Sequence, residues 1–334
     1  MKVEMFMVRF VDCSDIMYVG DKYVEKEVRI MYTVEDLSRI TYLRSRIRGK
    51  NAMIVYLQGN ILNTPAVTIV NTVNTVGVMG KGIALSLKNR YPEMFEIYQK
   101  ACKDKEFHVG QLMYYKSVDH DVLLFPTKAH WKYPSRLKWI EDGLKAFCEK
   151  YEEFEIGSIA FPMLGCGNGG LKWDDVKPLM EKYLSNLPIQ IFIYTGIGPN
   201  PLWDEKPIRD YSDWLKSIAL DFDENAVLQR FSEYLMLPYE FWIKGKKAQM
   251  IYLPGELDVI AEDRQEKTTE DEFRTLWFKW KNEGVIACEE ADRTLLLVML
   301  KSMDYLEPVF VEKPDGLCAG YQMLLMRDRA NKMI

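Results

Sequence analysis

Val67-Thr68-Ile69-Val70-Asn71-Thr72-Val73-Asn74-Thr75-Val76-Gly77-Val78-Met79-Gly80-Lys81-Gly82-Ile83-Ala84-Leu85 is the stretch whose reading decides the fold. Its apolar, β-branched start, Val67 to Val70, predicts a strand buried on both faces. The strand runs into a loop with glycines at 77, 80 and 82, and the loop opens a helix carrying Ile83, Ala84, Leu85 and Leu87. A strand, a glycine-rich turn and a helix N-terminus together make an anion site. Glycine lets the backbone approach, and the exposed N–H groups and helix dipole favour phosphate. A Walker loop is excluded, because Lys81 is followed by Gly82 rather than Ser or Thr and the glycine spacing differs. The Rossmann fingerprint fails too, since two amides, Asn71 and Asn74, precede the glycines. Amides at a strand end suit sugar hydroxyls better than a metal, or they satisfy the local backbone.

The same logic of strand, glycine loop and helix returns at Ile159-Ala160-Phe161-Pro162-Met163-Leu164-Gly165-Cys166-Gly167-Asn168-Gly169-Gly170-Leu171, ahead of a helical pattern from Trp173 to Leu184. Two such loops on neighbouring strand ends would grip a diphosphate from both sides. The order Gln58-Gly59-Asn60, then 70–85, then Phe125-Pro126-Thr127-Lys128-Ala129-His130-Trp131, then 162–171 resembles a macrodomain, the ADP-ribose-binding fold. Within that family it is most similar to the DNA ADP-ribosyl glycohydrolases of the DarG antitoxin type, which are paired with DarT toxins. The resemblance covers residues 52–196, less than half the chain.

The resemblance implies an ADP-ribose site formed by Gln58, Gly59, Asn60 and Ile61, by Asn71 and Asn74, and by Gly77, Val78, Met79, Gly80, Lys81 and Gly82. Thr127 and His130 complete it, with Leu164, Gly165, Cys166, Gly167, Asn168 and Gly169 of the second loop. Asn74 would hold the ribose distal to adenine. Asn60 stands where many macrodomains have an acidic residue for adenine. The catalytic candidate is Lys128, which matches the lysine on which hydrolytic relatives of this type depend. A desolvated amine attacks the anomeric carbon of the distal ribose or assists proton transfer. Some relatives pair the lysine with an acid in the second loop, but Gly169 occupies that position. Cys166 reads as a packed small residue rather than a nucleophile, and His130 as a structural imidazole or an auxiliary group. These residue types require no metal or other cofactor.

Length and composition fit this picture. A chain of 334 residues with 48% hydrophobic content accommodates two domains with real cores. Six scattered cysteines without a CxxC pair suit reduced thiols, and three histidines argue against a histidine-rich metal site. No apolar run approaches the ~20 residues of a membrane span. Glu4, Arg9 and Asp12 interrupt any signal-peptide pattern, so a soluble cytoplasmic protein is expected. The net charge of −5 divides into +2 for residues 1–50, +1 for 51–200 and −8 for 201–334. Such an acidic segment suits a protein partner, for instance a basic toxin, better than a phosphate backbone.

In chain order, residues 1–50 read as a small α+β extension. Strands are expected at 5–11 and 25–33, followed by a short helix from Val34. Arg44, Arg46, Arg48 and Lys50 at its end are dipole partners or a nucleic-acid contact. Residues 51–198 alternate strand and helix, which predicts a three-layer α/β/α macrodomain with a mixed central sheet. Strands are expected near 53–57, 67–71, 111–115, 122–125, 158–163 and 189–194. Helices are expected near 82–90, 92–103, 135–151 and 173–185. Gly196 to Pro207 reads as a linker. Residues 208–334 form an acidic α+β domain, a candidate partner-binding module. It is expected to comprise a helix over 210–235, a hairpin over 241–261 turning near Gly245, a helix opened by Thr268-Thr269, and another over 290–303. Cleavage at the linker is expected to leave the catalytic unit intact.

The function these readings favour is removal of ADP-ribose from modified DNA bases. A non-catalytic ADP-ribose reader, an ADP-ribose 1″-phosphatase and a toxin-neutralising interaction protein remain as alternatives.

Overall fold

The computed structural model describes residues 54–117, 119–198, 211–235, 238–243, 246–253, 255–261, 265–288 and 293–332. The expected elements of residues 1–50, the linker beyond residue 198 and the turn at Gly245 lie outside the described residues.

Six strands follow the predicted alternation: β1 (Ile54–Gln58), β2 (Thr68–Asn74), β3 (Met113–Tyr115), β4 (Asp121–Lys128), β5 (Ser158–Pro162) and β6 (Gln190–Gly196). The helices between them are α1 (Gly82–Arg90), α2 (Pro92–Lys103), α3 (Leu137–Lys150) and α4 (Trp173–Leu184). β1 pairs in parallel with β6, β6 with β5, β5 with β2 and β2 with β4, while β3 closes this edge antiparallel to β4. Side chains alternate across a strand, so neighbours in β2 serve opposite faces. Ile69 and Val73 pack with Ile83, Leu87, Met94 and Tyr98 of α1 and α2. Val70 packs on the other face with Ile140, Leu144 and Phe147 of α3 and with Val176, Met180 and Leu184 of α4. The result is a three-layer α/β/α body with both sheet faces buried.

The C-terminal part departs from the expectation in three ways. The single helix expected over 210–235 is two, α5 (Tyr211–Ile218) and α6 (Glu224–Tyr234), because Asp223 caps the second by accepting from Asn225 N at 3.0 Å. The expected hairpin is part of a four-stranded antiparallel sheet of β7 (Tyr239–Ile243), β8 (Lys246–Leu253), β9 (Glu256–Ala261) and β10 (Gln265–Thr269). Beyond it come α7 (Glu270–Glu283), β11 (Val285–Ala287), α8 (Thr294–Ser302), β12 (Leu306–Lys313), β13 (Gly316–Met323) and α9 (Met326–Asn331). α7 starts with a capping box between Thr269 and Glu272, and it buries Phe273, Trp277 and Trp280.

The third departure is the position of β12. It pairs antiparallel with β1, matching Leu57 to Val311 and Gln58 to Phe310. Among the described residues, one sheet therefore runs β11-β13-β12-β1-β6-β5-β2-β4-β3. Gly59 makes the junction possible, since a Cβ there would lie 2.7 Å from Val309 Cγ1. A polar knot ties the same two parts together elsewhere. Tyr91 (2.7 Å) and Tyr211 both donate to the Asp119 carboxylate, and Arg329 donates to the Asp119 carbonyl at 2.6 Å. Among the described residues no helix is long and apolar enough to cross a membrane.

A chain ending at residue 198 is therefore expected to lose more than an appendage. It would bare the hydrogen-bonding edge of β1 and uncover Leu57 and Ile61, which pack in one cluster with Val309 and Val311. A lower melting temperature and concentration-dependent association in size-exclusion chromatography are the expected outcomes. A monomer melting like the full chain would show that the added strands are dispensable.

Candidate functional site

Five parallel strands, β1, β2, β4, β5 and β6, place their C-terminal ends on one edge of the sheet. β2 leads to helices on one face and β5 to a helix on the other, and such a switch point opens a crevice at the strand ends. The pairing deepens it. β2 and β5 are registered only at Thr68–Ile159 and Ile69–Ala160, although both strands run on to Asn74 and Pro162. The two glycine loops emerge from these diverging ends.

The first loop is built on Asn74. Its Oδ1 accepts from Val76 N (3.0 Å) and Val78 N (3.3 Å), and its Nδ2 donates to Val78 O at 2.6 Å. Tyr98, buried in α2, donates to the Asn74 carbonyl at 2.8 Å. The amide thus shapes the loop from within. Gly77 (φ 76°) and Gly82 (φ 58°) take left-handed backbone, which side chains resist. α1 starts at Gly82 with no side-chain cap and no acidic residue in its first turn. No acidic residue of the helix's own first turn therefore opposes its dipole. Asn71 is fully buried; its Nδ2 lies 3.7 Å from Met79 Sδ, and its Oδ1 finds no partner among the described residues.

The second loop folds on itself. Leu171 N donates to Gly165 O at 3.0 Å and Gly170 N to Gly167 O at 3.2 Å. Ser135 N reaches across to Gly169 O at 2.8 Å. A Cβ at Gly169 would meet Gly165 O at 2.1 Å and Ser135 Oγ at 2.4 Å. No side chain fits there, which is the physical reason that this chain has no acid at that place. The loops face each other, since a Cβ at Gly82 would lie 3.9 Å from Asn168 Nδ2.

Lys128 stands between them. β2 and β4 stay in register through Val73–Pro126, then slip so that Asn74 pairs with Lys128. A bulge of this kind re-aims the side chains beside it. Lys128 Nζ donates to the carbonyl of Asn168 in the second loop and, at 3.4 Å, to that of Trp131. Partial burial lowers its pKa below the ordinary lysine value.

The other expected site residues divide. Ile61, Met79, Thr127 and Leu164 are buried. Asn60 caps a short 3-10 turn by accepting from Leu62 N at 3.0 Å, and Gln58 Nε2 lies 3.5 Å from Glu312 of β12. Burial pushes the Cys166 thiol up to about 11, so it stays protonated at neutral pH. Val78, Gly80 and Lys81 form the exposed crest of the first loop. His130 Nδ1 accepts from Lys132 N at 3.2 Å, and the ring stacks on Trp131. Two positioning residues escaped the sequence reading. Tyr98 was hidden because Met94, Tyr98 and Cys102 read as an ordinary apolar helix face. Ser135 acts through its backbone, which no side-chain pattern reports. Among the described residues no cluster of His, Cys, Asp or Glu is arranged to hold a metal ion. A separate cavity of about 100 Å³, lined in part by Arg90, His120 and Trp214, lies near the start of β4, at the far end of that strand.

Gly167 offers a clean probe, because nothing lies within 4 Å of a Cβ built there. Gly167→Glu is expected to fold with an unchanged melting temperature while placing a negative charge over the paired loops. Calorimetry with ADP-ribose should then show binding lost, and unchanged affinity would refute a diphosphate held between the loops.

A family model for the Macro domain matches residues 70–180. A DNA ADP-ribosyl glycohydrolase of Thermus aquaticus is 40% identical over 150 residues, 43% of this chain and 42% of that protein. A DNA ADP-ribosyl transferase-DNA ADP-ribosyl glycohydrolase fusion protein of Thermosipho africanus is 41% identical over 157 residues, 41% of this chain and 40% of its own length. The chain thus spans less than half the length of these curated relatives. The solved macrodomain of Thermus aquaticus DarG is 40% identical and covered along 99% of its length, at 43% of this chain and a TM-score of 0.41. Through the segment that carries the two glycine loops, the chain belongs to the macrodomain family.

Proposed function

We propose that this macrodomain hydrolyses the bond between ADP-ribose and a modified DNA base. The observation that carries the reading is the position of Lys128. An amine with a lowered pKa sits between two facing glycine loops, held by the carbonyl of Asn168. The loops take the diphosphate through backbone N–H groups and the α1 dipole. The distal ribose then lies over the Asn74–Lys128 pair, and the amide of Asn74 acts chiefly by holding the loop in shape.

Two carbonyls, of Asn168 and Trp131, accept from the amine. A neutral amine has two N–H groups to give, so both are satisfied and its lone pair stays available. That lone pair attacks the anomeric carbon as the carbon–nitrogen bond to the base breaks. The bonding electrons leave on the base, which takes up a proton. Water then hydrolyses the ribose–lysine adduct, releasing ADP-ribose and regenerating the amine. No carboxylate in the second loop is required, in keeping with the crowding at Gly169. The Thermus relative's name carries this activity. The Thermosipho fusion joins it to the transferase that would make the modification. By the same reasoning the acidic segment 201–334, at −8, is assigned to a basic protein partner of the transferase kind, and the protein to the cytoplasm.

Lys128→Ala is expected to keep ADP-ribose affinity and to lower turnover of an ADP-ribosylated oligonucleotide ~10²-fold or more. Lys128→Arg should not rescue it, because a guanidinium stays protonated. Only the neutral amine attacks, so wild-type kcat should rise with pH through the lysine pKa and then level off. Near wild-type turnover by the arginine variant would rule out the nucleophile. Parallel assays on ADP-ribosylated protein and ADP-ribose 1″-phosphate identify the substrate class.

A further inference from the structure

The loop that follows Lys128 has a surface that the diphosphate site does not explain. Trp131 is 50% exposed and Tyr133 is 64% exposed, an unusual display for rings of this size. They are not loose. The His130 ring stacks on Trp131 at 5.7 Å and 24° and tilts against Tyr133 at 5.5 Å, so three rings form one ribbon. The ribbon is pinned by Lys132 N donating to His130 Nδ1, by Tyr133 N donating to His130 O at 3.1 Å, and by the Ser135 contact to the second loop.

Charge favours the same partner. From 122 to 140 the chain carries Lys128, Lys132, Arg136 and Lys138 and no Asp or Glu; from 75 to 92 it carries Lys81, Lys88 and Arg90 and again no acid. The stretch that carries Lys128 and the ring-bearing loop is thus basic, although residues 51–200 sum to only +1. Exposed rings held beside cations, with the Lys132 amine 5.2 Å from the Trp131 ring centroid, suit a polyanion with stackable bases. A basic surface alone would also fit an acidic peptide, but a peptide has no need of a rigid ring ribbon.

We propose that Trp131 and Tyr133, spaced by His130, are the specificity-determining platform on which bases next to the modified nucleotide stack, and that Lys132 and Arg136 hold the phosphates linking them. This rests on the reading of the site as an ADP-ribosyl-DNA hydrolase. The platform selects a strand whose bases are unpaired there, because a paired base hides its faces. Its place just past Lys128 means that the bound strand delivers the modified nucleotide to the amine.

The test compares wild type with Tyr133→Ala on three substrates: an oligonucleotide with one central ADP-ribosylated base, the same strand with abasic neighbours, and the modified mononucleoside; Trp131→Ala, whose carbonyl also holds the Lys128 amine, is read by strand binding alone. Loss of the Tyr133 ring is expected to raise KM for the first about tenfold, with kcat within about twofold. The abasic strand given to wild type should raise KM at least as far. In Tyr133→Ala, mononucleoside turnover and ADP-ribose affinity should not move, and neither should the melting temperature, since that ring is exposed. Separately, Lys132→Gln/Arg136→Gln should flatten the salt dependence of strand binding by about 1.4 in the log–log slope. An oligonucleotide KM in the ring variant within twofold of wild type overturns the platform, as does wild type preferring an ADP-ribosylated peptide. Anisotropy on an unmodified single strand separates the two readings. Binding weakened by the ring variant, with no turnover by wild type, retains the platform and rejects the hydrolase; equal binding rejects the platform.

Discussion

β2 is hydrogen-bonded to β4 along its whole length but to β5 only at its first two residues, and the site depends on that asymmetry. Hydrogen bonding to β4 carries Asn74 and Lys128 forward as a fixed pair. Release from β5 lets the ends of the two strands part, leaving room for a ligand between their loops. A fully zipped β2–β5 ladder would set the glycine loops side by side and close the crevice. The helices complete the arrangement by sitting on opposite faces, which keeps α1 and α4 from covering the gap.

Within that crevice the energetics favour a pre-shaped cradle. Asn74 uses its side chain, and Tyr98 its hydroxyl, to hold the first loop before any ligand arrives. The second loop is held by its own backbone bonds and by Ser135. A preorganised loop spares a ligand the entropy of ordering it. Burial disfavours the charged form of Lys128, while carbonyl contacts satisfy its N–H groups in either form. Desolvation accordingly lowers its pKa. Such a lysine is suited to chemistry rather than to charge display.

The sheet also explains how the acidic segment relates to the segment that carries the two glycine loops. Backbone pairing of β12 with β1 joins them, and β1 is the strand whose end carries Gln58, Gly59 and Asn60. Gly59 has no side chain because Val309 lies against it, and Gln58 faces Glu312. One rim of the crevice is therefore built partly by residues from the far end of the chain. The other rim, at Trp131 and Tyr133, is built locally.

The sequence by itself determined the local elements, because their signals are local. The β-branched run into glycines 77, 80 and 82 specified a strand, a loop and the start of α1, and Pro92 marked the first residue of α2. Thr268-Thr269 marked a helix start in the same way, and the structure adds Glu272 to its cap. The two loops and Lys128 were legible as a combination, since glycine and lysine are conspicuous where backbone approach and an amine are needed. β12 and β13 were not read, although Pro314-Asp315-Gly316 between two apolar runs carries a hairpin signal. Which edge those strands would join was beyond any local pattern, because register and partner depend on groups some 250 residues apart. Tertiary structure alone decided that Gly82 faces Asn168, that Lys128 reaches a carbonyl of the second loop, and that Asn74 is spent on its own loop. Each follows from where the diverging strands set their ends, and hydrogen-bond geometry over a few ångströms is a property of the assembled sheet rather than of the residue order.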